Sequence, residues 1–72
     1  MKNKLFDALE KKYEAIKSEC EATLEVYFNN PMGIGEHPGI IEEMDKLFER
    51  YATAEGNLEV LRKNFSEYDT EE

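Results

Sequence analysis

The sequence predicts an all-α fold: an antiparallel two-helix hairpin, coiled-coil-like, that assembles into a four-helix bundle. Three observations predict the hairpin. Apolar residues recur at 3-4 spacing in both halves of the chain, one segment rich in glycine and proline separates the halves, and that segment is short enough to lay the second helix beside the first. The composition agrees, since 36% of the 72 residues are charged and 40% hydrophobic, and abundant Ala, Glu, Lys, Leu and Arg suit long helices rather than a sandwich or a disordered tail.

The first helix is expected over about residues 3–29. With Phe6 at position a, the a and d places that follow are Leu9, Tyr13, Ile16, Cys20, Thr23 and Tyr27, and Leu24 stands beside the imperfect Thr23. Asp7 with Lys11 and Glu14 with Lys17 are spaced to pair along the exposed face. Asn29-Asn30-Pro31 ends the helix, because asparagine tolerates the left-handed conformation beyond a C-terminus and proline cannot continue the hydrogen-bond ladder.

A loop follows over about residues 30–38, and the segment from Asn30 to Gly39 holds both prolines and three of the four glycines. The second helix is expected over about 39–66, where Ile40, Met44, Leu47, Tyr51, Ala54, Leu58, Leu61, Phe65 and Tyr68 keep strict 4-3 spacing. Pro38 suits its first turn, and Glu42, Glu43 and Asp45 complement the positive end of its macrodipole. Gly56 falls at position f, facing outward, and costs about 1 kcal/mol relative to alanine without breaking the helix. An antiparallel return brings Phe6 near Phe65, Tyr13 near Leu58, and Tyr27 near Ile41 or Met44. The remaining residues, 67–72, form an acidic tail expected to fray, so that half of the net charge of -8 lies in the last seven residues.

A chain of this size forms one domain, and one core of this size rarely supplies more than ~3–5 kcal/mol. Its usual staples are missing: Cys20 is the only cysteine and His37 the only histidine, which excludes an intramolecular disulfide and the common structural zinc sites. Part of the stability must therefore come from outside the monomer. Leu24, Phe28, Ile41, Met44 and Phe48, with Ile34 from the loop, make an apolar patch at the loop end that is wider than a two-stranded seam needs, whereas the other half has Glu10, Lys17, Glu55 and Arg62 at its e positions. That patch is the expected interface. Self-association, most simply as a homodimer, explains it, and docking on a different protein is the alternative.

Little points to chemistry. The carboxylates have the spacing of a solvated helix face, and a thin hairpin offers no pocket to set two pKa values apart. Cys20 sits at an a position and reads as a small core hydrophobe rather than a nucleophile. The chain is expected to be non-enzymatic, with no catalytic residue, no cofactor and no bound metal. Its net charge and pI of about 4.6 argue against nucleic acid and anionic membranes as partners. The acids are interspersed with bases, unlike the rows of negative charge that imitate DNA. No apolar run suits a signal peptide or a membrane span, and one unpaired cysteine suits a reducing compartment, so a cytoplasmic location is expected.

The stretches Asp7-Ala8-Leu9-Glu10 and Leu24-Glu25-Val26-Tyr27-Phe28, and above all Gly33-Ile34-Gly35-Glu36-His37-Pro38 running on to Leu47, resemble small helical proteins of unassigned activity encoded by marine tailed bacteriophages. The resemblance covers about residues 4–65, and its specific element is the loop. It implies expression in an infected bacterial cytoplasm and an accessory role acting on a host protein; it carries over no activity and no site residues.

A turn does not require Glu36 and His37, which makes them the loop's candidates for partner contact. The competing reading is a small metal- or ligand-binding protein in which this pair supplies ligands. Circular dichroism melts of wild type and of Glu36→Ala with His37→Ala, each with and without chelator, separate the two: a midpoint that chelator lowers only in wild type supports metal, and insensitivity in both removes it.

Overall fold

A computed structural model describes residues 2–29 and 39–69. Helix α1 spans Lys4–Asn29 and helix α2 spans Ile40–Asn64, followed by a 3-10 turn, Ser66–Asp69; the described residues contain no strand. Ile34, Glu36, His37 and Pro38 lie outside the described residues.

Helix α1 starts behind Asn3, whose Oδ1 accepts from the backbone N–H groups of Leu5 at 2.8 Å and Phe6 at 3.2 Å. Two of the otherwise unsatisfied donors of the first turn are thereby answered. Helix α2 follows Gly39, whose carbonyl accepts from the Glu43 N–H at 2.9 Å. Glu42 and Glu43 in its first turn, with Arg62 and Lys63 in its last, match the macrodipole at both ends.

The C-terminal end differs from expectation. Helix α2 stops at Asn64, and the residues after it do not fray at once. The Phe65 N–H still donates to the Leu61 carbonyl at 3.0 Å, the chain bends through Ser66–Asp69, and the Asn3 N–H donates to the Tyr68 carbonyl at 3.0 Å. Lys2 Nζ reaches Asp69 at 3.1 Å. An antiparallel pair brings the first and last described residues together, so a cation at one end and a carboxylate at the other clasp the terminus.

The helices pack antiparallel. Glu10 meets Arg62, Glu19 meets Arg50 and Phe28 meets Phe48, so α1 positions run forward as α2 positions run back. The buried core consists of Phe6, Cys20, Leu24, Ala54, Leu58 and Leu61. Cys20 has no exposed surface and Ala54 almost none, so small side chains are the most enclosed part of the seam. Tyr13, Ile16, Tyr27, Met44, Leu47 and Tyr51 are half-buried. Leu9, Phe65 and Tyr68, expected in the seam, are instead 41%, 47% and 47% exposed. Two helices cover a seam residue from one side only, and past Asn64 there is no continuing α-helix to hold Phe65 and Tyr68 inward. Glu14 and Lys17 also take partners across the seam: Glu14 binds Arg62 at 2.8 Å, and Lys17 lies 5.5 Å from the centre of the Tyr51 ring.

Gly56 faces open space, with nothing within 4 Å of a Cβ built on it. Gly56→Ala should therefore raise the unfolding free energy by about 1 kcal/mol, the helix-propensity difference with no steric penalty to offset it. Urea titration of both proteins, read by helical ellipticity, measures the gain; a loss of stability would mean that the outward face is covered.

Candidate interaction surfaces

In an antiparallel pair the e positions of both helices flank one side of the seam and the g positions flank the other. The ion pairs follow this division. Arg62 and Glu10 are e residues and sit on one side, 2.9 Å apart; Arg50 and Glu19 are g residues and sit on the other, 2.7 Å apart.

On the e side, near the termini, Glu10 is the hub of a charged network. It accepts from Lys2 Nζ at 2.7 Å and from Arg62 Nε, while Arg62 Nη2 goes on to Glu14. Hydrogen bonds from Lys2 first, and from Arg62 second, hold the Glu10 carboxyl below the usual glutamate range despite partial desolvation. The same bonds to Glu10 raise Lys2 and Arg62. Asp7 is likewise lowered, chiefly by Lys11 at 2.8 Å. Further along, the Tyr51 hydroxyl lies 3.4 Å from Glu21, and its phenol is pushed up by burial first and by the charges of Glu21 and Glu55 second.

At the other end of the e side the Phe28 and Phe48 rings meet edge-on, centroids 6.4 Å apart, beside a hollow lined by Glu21, Leu24, Glu25 and Tyr51. Of the residues expected to form an interface, Phe28, Ile41 and Phe48 are exposed, Met44 is half-buried, and Leu24 belongs to the hairpin's own core. A leucine one step from a d position lies close enough to the seam to replace the poorer Thr23. Ile34, Glu36 and His37 lie outside the described residues.

A second apolar surface was not anticipated. On the g side, near the termini, Leu5, Leu9 and Tyr13 of α1 face Asn57, Val60, Leu61, Phe65 and Tyr68 across a continuous groove, with Asn3 and Phe6 completing its walls. Its larger section has a volume of about 330 Å³. Leu5 is 77% exposed and Val60 more than half exposed. The signal in the sequence is faint: two apolar residues off the seam, Leu5 at g and Val60 at c, in the half of the hairpin whose e positions are all charged.

Among the described residues no group of three or more His, Cys, Asp or Glu side chains is placed to hold a metal ion, and no helix is long and apolar enough to cross a membrane. Cys20 is free and enclosed. No family model, curated protein or solved structure matches the chain.

Because Glu10 is lowered in the folded state, its ionised form stabilises the fold above the ordinary glutamate value of 4.5, and that contribution disappears as pH falls through its depressed range. The difference in melting midpoint between wild type and Glu10→Gln should thus be greatest near neutral pH, shrink below pH 4.5, and narrow with added salt. A difference independent of pH would show that Glu10 acts through packing alone.

Proposed function

We propose that the chain is a non-enzymatic protein-protein interaction module that self-associates, two hairpins pairing through the terminal groove into a four-helix bundle. The observation that carries this reading is the apolar groove near the termini, where Leu5, Leu9, Val60, Phe65 and Tyr68 are 77%, 41%, 53%, 47% and 47% exposed; apolar side chains grouped in this way gain by burial against a second apolar surface.

Charge selects the groove over the loop-end patch. A two-fold dimer sets a surface against its own copy. Doing so with the Phe28–Phe48 patch would gather Glu21 and Glu25 of both copies into one partly desolvated contact, which costs energy. None of the residues that line the groove is charged. Leucine, valine and phenylalanine interlocking with their copies there would give the four-helix arrangement two layers of apolar side chains where each hairpin alone has one.

On this reading Lys2, Asn3 and Asp69 serve the interface indirectly, by clasping the 3-10 turn that holds Phe65 and Tyr68 at the groove. A cytoplasmic location, with Cys20 reduced in the core, fits the same reading, as does an accessory role in a phage-infected cell.

Folding linked to association makes stability depend on concentration. The melting midpoint should fall over an about hundredfold dilution, and Leu9→Glu or Val60→Glu should yield a smaller, less stable species in sedimentation, because a charge cannot be buried unpaired in an apolar contact. Gly56→Glu, outward on α2, should leave the dimer intact. A midpoint unchanged by dilution would overturn obligate self-association.

A further inference from the structure

The e side of the hairpin changes character along its length. Toward the termini the Lys2–Glu10–Arg62 network closes it; toward the other end Phe28 and Phe48 remain 63% and 49% exposed even though their rings touch. The hollow beside them, about 350 Å³, has buried Leu24 at its base and Glu21 and Glu25 in its wall. Glu55 is close enough for its charge to act on Tyr51, which also lines the hollow. One cation stands nearby, Lys17, and it is engaged with the face of the Tyr51 ring.

An apolar surface edged by carboxylates has a definite complement. A purely apolar ligand would strip water from the glutamates and return nothing to them, an anionic one would be repelled, and a second copy of this chain would bring the same acids. We propose that the Phe28–Phe48 hollow seats a basic amphipathic helix of another protein, its apolar stripe on the two rings and its lysines or arginines against Glu21, Glu25 and Glu55. A helix fits because the hollow lies in the furrow between two helices, the position a third helix takes when apolar residues recur at i, i+3, i+4 and i+7. The seat is on the opposite side of the seam from the self-association groove, and at the opposite end, so the two inferences stand or fall separately.

The probe is a fluorescein-labelled peptide of about 18 residues with leucine at the stripe positions and lysine elsewhere, compared with a scrambled peptide of equal composition that has no stripe. Anisotropy titrations with the full-length protein should show the striped peptide binding about tenfold more tightly or better. Phe28→Ser should weaken binding by a similar factor, at unchanged helicity because the ring is already largely exposed. Glu21→Gln with Glu25→Gln should weaken it and flatten its salt dependence. Sedimentation at saturating peptide should find the protein's own association state unaltered. Equal binding of the two peptides would reduce the effect to net charge and overturn the proposal. So would binding unaffected by either variant, or peptide that dissociates the protein's own assembly, which would place it in the terminal groove.

Discussion

Two helices side by side can each hide a single stripe, and the remaining features of this protein follow from that shortage of interior. Among the described residues the buried set is six side chains, one of them an alanine and one a cysteine. Closeness stands in for bulk: Cys20 and Ala54 are small enough to let the helices approach, and Leu24 covers a place that Thr23 fills poorly. What the seam cannot enclose stays on the surface, and there is a good deal of it. Burying a large apolar side chain is worth roughly 1.5–3 kcal/mol, so Leu5, Leu9, Phe28 and Phe48 represent stabilisation that the isolated pair does not realise.

The charged residues determine where that unrealised surface can be used. Individually the exposed pairs contribute little, about 0–1 kcal/mol each. Their placement matters more. The network around Glu10, whose side chain is 13% exposed, spans three segments, the start of the chain, α1 and α2, and it occupies the e side near the termini with groups that satisfy one another. That side is closed to apolar association there. The groove on the g side beside it is lined by apolar residues together with Asn3, Asn57 and the phenols of Tyr13 and Tyr68, and it remains open. At the loop end Glu21 and Glu25 stand beside Phe28 and Phe48, while Lys17 is engaged with the Tyr51 ring, an arrangement complementary to a basic surface.

The terminal clasp links local structure to these surfaces. Asn3 caps α1 through its side chain and holds Tyr68 through its backbone N–H, so one residue both starts a helix and fixes the 3-10 turn. Lys2 joins the clasp to the Glu10 network. Acidic residues that would otherwise repel one another in a tail are drawn back, Asp69 by Lys2, and with them come the rings of Phe65 and Tyr68 that deepen the groove.

The sequence by itself determined the two helices, the break between them and the outward direction of Gly56, because the 3-4 period, proline and glycine act through local backbone geometry that needs no partner. Its heptads likewise identified Cys20, Leu58 and Leu61 as inward. The tertiary structure decided which side of the seam each flanking residue occupies. In a parallel pair an e position faces a g position; in this antiparallel pair e faces e and g faces g, and that pairing sends Leu5 and the terminal groove to one side while Phe28 and Phe48 lie on the other. It also decided that Leu9 and Phe65, inward by spacing, stay half open, since burial depends on what lies around a residue and two helices cover a seam position from one side only.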